Sequence, residues 1–245
     1  MYSKIYDLCK ARNVGPVSMN DPNEPTPRVK YIMSLLTDEG IDYELDKYHN
    51  GRYTIYNIIM KGTSDKMVVA HHDIVNPSID NANDNSASVI NAIMVKHLMP
   101  DINVVLLDGE EMGGLGSQRV SDQINDGYFG SISWVLNLEL SGKGGKYFFI
   151  GDYPGPLSDR ILKKFDCPVV KTPYNDSVTF IKNGIDSCVI NPLPPTMNES
   201  HVRYLDSYLD YKMLFNCHNS KDTISTIDPS DMKQFVEEVL MEILS

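Results

Sequence analysis

The chain has 245 residues, 42% hydrophobic and 22% charged, which suits one sizeable α/β domain over 1–245 better than two small ones. Acidic residues outnumber basic ones 33 to 22, for a formal charge of -11 and a pI near 4.9; that balance argues against nucleic acid or an anionic membrane as partner, since both need a basic face. No apolar run reaches membrane-spanning length, the start lacks the uninterrupted core of a signal peptide, and Cys9, Cys167, Cys188 and Cys217 form no short pairing, so a cytoplasmic protein with free thiols is expected.

In chain order, Thr26 caps a helix with Pro27 at its first position, and Val29, Ile32, Met33 and Leu36 form one face before Gly40 stops it. Ile41, Tyr43 and Leu45 alternate as a half-buried strand, Asn50-Gly51 makes a hairpin turn, and Tyr53 and Ile55 carry the return strand. The apolar run Met67-Val68-Val69-Ala70 is a buried strand that delivers His71-His72-Asp73 at its carboxyl end, the edge where open α/β sheets place their ligand sites. The polar turn Asn83-Asp84-Asn85-Ser86-Ala87-Ser88 opens a helix with Val89, Ile90, Ile93, Met94 and Leu98 at helical spacing. A second buried strand, 102–107, stops at Asp108-Gly109-Glu110-Glu111, and a third, 132–138, runs into Glu139.

Strands at 146–150 and 186–190 and helices near 157–165 and 177–183 follow. Residues 191–201 are expected to form a long surface loop, and His218 sits in the polar loop 217–223. The final helix starts at Asp228-Pro229 and has Met232, Phe235, Val236, Val239, Leu240 and Ile243 on its apolar face. The sum is a single α/β domain: a central mixed, mostly parallel sheet flanked by helices.

Three strand ends and one turn thus gather His71, Asp84, Glu110, Glu111 and Glu139, with His218 added from a late loop. Zinc takes imidazole nitrogen and carboxylate oxygen. A pair of ions about 3.5–4 Å apart needs a ligand that touches both, and a short carboxylate on a tight turn, Asp84, suits that bridge. His71 with Glu139, and His218 with Glu111, then complete two equivalent sets. Glu110 is left over as a general base for a water and a general acid for a leaving amine. Asp73, two positions after His71, is expected to accept the other ring proton of His71 and so belongs with the catalytic set; Asp222 is expected to do the same for His218.

At these residues the chain resembles the co-catalytic zinc aminopeptidases of metallopeptidase family twenty-eight, a group that also holds glutamate carboxypeptidases and glutaminyl cyclases. The family's His-x-Asp motif is matched by His71-His72-Asp73, and its Asp-Asn/Asp-x-x-Ser/Gly segment by Asp84-Asn85-Ser86-Ala87-Ser88. Its Asp-Gly-Glu-Glu block appears as Asp108 to Ser117 with one extra glycine, its strand-end Asn-x-Asp as Asn137-Leu138-Glu139, and its terminal His-Thr-x-x-Asp-Thr as His218-Asn219-Ser220-Lys221-Asp222-Thr223. The resemblance runs from about Arg28 to the end. It implies the three-layer zinc-peptidase, phosphorylase/hydrolase-like sandwich without a lid domain, two zinc ions per chain held by His71, Asp84, Glu111, Glu139 and His218, Glu110 as general base, and removal of the amino-terminal residue from a peptide or small amino-acyl substrate.

The chain departs from the family at Glu139, where Asp is usual, and at Asn175-Asp176-Ser177-Val178-Thr179-Phe180, which lacks the histidine of Ser-Asp-His-x-x-Phe. Cys217 stands where several aminopeptidases have an oxyanion-stabilising tyrosine, for which Tyr174, Tyr204, Tyr208 and Tyr211 are substitutes. Taken singly, each Asp or Glu is more simply a solvated surface residue. The ordered set carries the reading. His72 remains an alternative ligand to His71, whereas His49, His97 and His201 have no assigned role. The rival functions are a glutaminyl cyclase, a carboxypeptidase or deacylase on the same fold, and an inactive metal-binding relative.

Overall fold

The structure is a computed structural model and describes residues 1–11, 24–49, 51–75, 77–193 and 217–245. The short apolar runs become strands: β1 (Glu44–His49), β2 (Thr54–Met60), β3 (Lys66–His71), β4 (Asn103–Leu107), β5 (Trp134–Leu138), β6 (Phe148–Gly151), β7 (Val169–Val170) and β8 (Ser187–Pro192). All join one sheet in the order β1-β2-β4-β3-β5-β8-β6-β7. The middle strands β4, β3, β5 and β8 are mutually parallel, while β1-β2, β2-β4 and β6-β8 pair antiparallel. Runs without polar alternation sit in the centre because both their faces are covered. The edge strand β1 is polar instead, and its Asp46 is held by Arg119 through two 3.1 Å hydrogen bonds.

The helices are α1 (Ile5–Lys10), α2 (Pro27–Asp38), α3 (Ala87–Leu98), α4 (Leu115–Asn125), α5 (Pro156–Lys164), α6 (Asp176–Lys182) and α7, which spans 229–244 in three consecutive segments. The predicted caps form: the Thr26 hydroxyl accepts from the Val29 amide at 3.2 Å, and Asp228 accepts from Ser230 and Asp231. Alternation along the strands splits the core in two. Val68, Ala70, Val104 and Leu106 pack with α1, α2, α3, α5 and α7 on one face. Met67, Val69, Val105 and Leu107 pack with Val120 and Ile124 of α4 and Phe180 of α6 on the other. This is the expected three-layer arrangement.

Some details differ from the sequence reading. The first strand starts at Glu44 rather than Ile41, and Asn50 and residues 194–201 lie outside the described residues. Helix α4 was not anticipated because its buried side is built from Gly116, Ser117 and Ser121 as much as from Val120 and Ile124. These small residues let it ride close to the sheet: a Cβ at Gly116 would lie 2.4 Å from the Asp108 carbonyl oxygen. Among the described residues, no helix is long and apolar enough to cross a membrane.

The parallel register places the chemistry. His71 is opposite Leu107, and Val69 is opposite Asn137, so two residues further on His71 and Glu139 emerge together. The β4 strand releases Asp108 to Glu111 at the same edge.

Candidate metal centre

Asp84 lies at the centre of the site and is nearly buried, on the turn Ala82–Ser86 that precedes α3. Its Oδ1 is 3.2 Å from Nε2 of His71, and its Oδ2 is 3.2 Å from Nε2 of His218. Each imidazole has a second carboxylate of its own: Glu139 Oε2 is 3.6 Å from His71 Nε2, and Glu111 Oε1 is 3.0 Å from His218 Nε2. Donor atoms of His71, Asp84 and Glu139 lie within 4.8 Å of one another, and so do those of Asp84, Glu111 and His218. A third such group, His71 with Glu110 and Glu111, brings Glu110 to the edge of the cluster. Glu110 makes no ion pair within 4 Å with either imidazole among the described residues.

The backbone that presents these groups is held by other carboxylates. The two oxygens of Asp73 accept the amides of Glu110 and Glu111, each at 3.1 Å, and Asp73 Oδ1 faces Nδ1 of His71 at 3.4 Å, too long for a well-formed hydrogen bond. Asp73 therefore does face His71 as expected, and it also fixes the glutamate pair. Asp222 was expected to orient His218, but both its oxygens are turned to the Asp84 turn instead. They accept the amides of Asn83 at 2.7 Å and Asp84 at 3.1 Å. Loop residues four apart have no fixed geometry, and two free turn amides are stronger partners for a buried carboxylate than one distant ring nitrogen.

His72 is excluded from the cluster. Its Nε2 donates to the Tyr56 carbonyl at 2.9 Å, and burial lowers its pKa to about 4, so it is a neutral interior ring. Asn85, given no role from the sequence, joins the turn to the end of β5: it donates to Leu138 O at 3.0 Å and accepts from Leu140 N at 3.1 Å. Gly114 has φ +76°, and a Cβ there would fall 2.4 Å from the Tyr174 hydroxyl, which explains a glycine at that position.

The electrostatics are those of crowded carboxylates. Burial alone would lower His71, but Glu139, then Asp73 and Asp84, outweigh it and hold the ring well above its ordinary value. For His218 the same burial is outweighed by Asp84 and Glu111, which lift it to about 10. Burial would raise Asp84, yet His218 and His71 pull it far below the usual carboxylate range. The others move up: burial, with the Asp84 charge, pushes Glu111 to about 7, and burial raises Glu139 and Glu110. Asp176, also buried, is raised to about 7, and neither of its oxygens makes a well-formed hydrogen bond. The sequence pattern gave Asp176 no role, because its neighbours in space come from other elements.

The cluster opens into a cleft of ≈ 230 Å³ whose other wall includes Leu140, Pro173, Tyr174 and Cys217. The Tyr174 hydroxyl bonds Thr179 Oγ1 at 2.5 Å and the Gly113 carbonyl at 3.1 Å. Tyr204, Tyr208, Tyr211 and His201 lie outside the described residues. Burial keeps the Cys217 thiol well above its ordinary value, and Cys217 is absent from the donor groups just described. The set on offer is imidazole nitrogen and carboxylate oxygen, and among the described residues no Lys or Arg pairs with Asp84, Glu110, Glu111 or Glu139. That chemistry fits zinc.

A model of peptidase family M28 matches residues 57–243. No curated protein matches the chain by sequence. Among solved structures, the LapA aminopeptidase of Legionella pneumophila aligns with a TM-score of 0.71, at 13% identity over 99% of this chain and 69% of that one. A zinc aminopeptidase from Bacillus subtilis aligns at 0.62, with 20% identity over 79% of this chain and 50% of that one. A glutaminyl cyclase from Fimbriiglobus ruber aligns at 0.69, with 16% identity over 99% of this chain and 93% of that one. At these identities the likeness is one of fold.

Proposed function

The chain belongs to peptidase family M28, and on that premise we propose that it is a di-zinc metallopeptidase that removes the amino-terminal residue from peptides. The observation that carries this reading is the two-sided use of Asp84. Its two oxygens face two imidazoles, and each imidazole has a further carboxylate, Glu139 or Glu111. His71, Asp84 and Glu139 would hold one ion, and Asp84, Glu111 and His218 the other. When bound, such a pair supplies Lewis acidity to a peptide carbonyl and makes water a stronger acid.

The remaining steps belong to the chain's own side chains. Glu110 lines the cleft beside both sets and takes the proton from the attacking water, then returns it to the departing amine. Asp73 fixes the Glu110 and Glu111 amides and faces the far nitrogen of His71, so base and ligand keep one geometry. The acidic rim favours a substrate ammonium, and the wall of Leu140, Pro173 and Tyr174 receives the terminal side chain.

The test is mass spectrometry of a mixed peptide library incubated with zinc-loaded protein, with a chelator control. Trimming from the amino end that stops with chelator supports the reading. Loss of ammonia from amino-terminal Gln, with one metal per chain, would replace it with a glutaminyl cyclase. Residues lost from the carboxyl end would replace it with a carboxypeptidase.

A further inference from the structure

Arg28, in the first turn of α2, has no exposed surface, and among the described residues Lys96 is the other buried Lys or Arg. No carboxylate lies within 4 Å of it among those residues. Burying a cation without a contacting counter-ion is costly, and an apolar side chain would fill the same space more cheaply. The guanidinium instead spends its three arms on three elements. Its Nε donates to the His72 carbonyl at 2.5 Å, Nη1 to the Leu8 carbonyl at 3.0 Å, and Nη2 to the Ser86 hydroxyl at 2.8 Å.

Two of those three contacts, one to a backbone carbonyl and one to a side-chain hydroxyl, end on the segments that carry the candidate ligands. His72 is the residue after His71, and its amide is already tied to Leu107 O at 2.7 Å, so the added grip on its carbonyl fixes the peptide from which His71 and Asp73 leave β3. Ser86 closes the Asp84 turn by donating its hydroxyl to the Asn81 carbonyl at 2.6 Å, and Arg28 holds that hydroxyl from behind. The charge of Arg28 is also felt by Asp73 and Asp222, the two carboxylates that grip the amides of Glu110, Glu111, Asn83 and Asp84. The planar fork places its three donors on separate nitrogens in fixed directions, whereas a lysine offers all of its donors from one ammonium on a flexible stem.

We infer that Arg28 is a positioning residue of the metal centre: by joining the His72 carbonyl to the Ser86 hydroxyl it sets the strand end that presents His71 against the turn that presents Asp84. The inference rests on the reading of those two residues as ligands of a shared ion. It predicts an effect on metal affinity beyond any effect on folding.

The experiment compares Arg28→Lys and Ser86→Ala with a control, Lys96→Met. Lys96 is also buried and caps the carbonyls of Lys61, Pro100 and Ile102, but it does so beside the start of β4, at the opposite edge of the sheet from the cluster. Zinc affinity is read by competition with a chromophoric chelator, cobalt(II) spectra report the ligand geometry, and melting of the metal-free protein reports folding. Arg28→Lys is expected to weaken zinc binding ~10–100-fold and to alter the cobalt spectrum, the range typical for lost support of a ligand. Ser86→Ala, which removes that arm together with the bond to the Asn81 carbonyl and leaves the charge, is expected at the lower end. Lys96→Met lowers the melting temperature and leaves zinc affinity within ~2-fold, as distant sites act independently. If Arg28→Lys does not fold, Arg28→Gln in the zinc-loaded protein, read against Ser86→Ala and the control, decides. Wild-type affinity in Arg28→Lys or Ser86→Ala, or an equal loss in Lys96→Met, overturns this inference alone. Failure of the wild-type protein to take up zinc overturns the metal reading and this inference with it.

Discussion

Replacing Glu110 with Gln separates a proton carrier from a ligand at the one acidic residue whose position allows both. The substitution keeps the size of the side chain and leaves the backbone hold intact, because the Glu110 amide donates to Asp73 whatever its side chain is. Glu110 forms no ion pair with His71 or His218, so both sets built on Asp84 survive and two zinc ions per chain are expected to remain. Losing the general base removes about 10²–10⁴-fold of rate. At about 1.4 kcal/mol per factor of ten, that is about 3–5 kcal/mol of barrier. Burial, with Asp176, Glu139 and Glu111 adding to it, raises Glu110, so a neutral amide relieves repulsion and the metal-free variant should melt no lower than wild type. The assay is kcat/KM on the best library peptide, with zinc counted by elemental analysis of the same sample. A variant that keeps more than about a tenth of the wild-type rate refutes the assignment of the base. One that holds one zinc fewer makes Glu110 a ligand.

Asp84→Ala removes the shared carboxylate, and elemental analysis after dialysis is expected to find both ions lost; retention of one ion at full occupancy would refute the bridge. Above pH 7, where the carboxyl of Asp222, raised by burial to about 7, is ionised, Asp222→Asn leaves one of the two turn amides facing an NH₂ group, for a loss of about 2–4 kcal/mol from a charge-assisted hydrogen bond and an unsatisfied buried donor. Urea unfolding of metal-free protein checks this, and an unchanged midpoint would refute it. The third outcome concerns pH. In metal-free protein Glu111 is raised from 4.5 to about 7 and His218 from 6.5 to about 10, so the folded chain binds more protons than the unfolded one through those windows. The stability they contribute is present at low pH and is lost as pH rises through each window. Zinc needs both groups unprotonated, so loading at pH 7 releases protons and affinity rises with pH. Calorimetry in buffers of different ionisation enthalpy measures the release; proton-neutral binding at pH 7 would refute the raised values.

Much of the fold and the site was legible because local signals and global position agree. The runs Met67 to Ala70 and 102–107 have no polar alternation, and both lie in the covered centre of the sheet. Parallel register then carries His71 and Glu139 to one edge. What sequence spacing did not reveal depends on contacts between distant segments. Asp222 lies 138 residues from Asp84, and Arg28 lies 58 residues from Ser86. In each case the side chain's partner is a backbone group or hydroxyl, which leaves no signature in residue type. Helix α4 was missed for a related reason: close approach of backbone to sheet selects glycine and serine, and these weaken the apolar period that betrays a helix.

The partners of the carboxylates sort them into two kinds. Asp73, Asp108 and Asp222 accept backbone amides, from Glu110 and Glu111, from Tyr56, and from Asn83 and Asp84 respectively. They are buried behind the cleft; Asp73 is lowered against its burial by His71, whereas burial raises Asp108 and Asp222 in spite of the amides they hold. Asp84, Glu111 and Glu139 face imidazole nitrogens. A neutral imidazole gives each ring nitrogen to one role, so two rings cannot both accept a metal and neutralise three carboxylates. Inside a low-dielectric site such charges demand either protons or cations. The raised values of Glu111 and Glu139 are the proton solution. The two imidazoles on opposite oxygens of Asp84 are the geometry of the cation solution. Asp176 belongs to neither kind, since it has no well-formed hydrogen bond and faces the cluster only through its field. Burial raises it to about 7, with Glu139 and Asp73 adding to the shift and His71 opposing it.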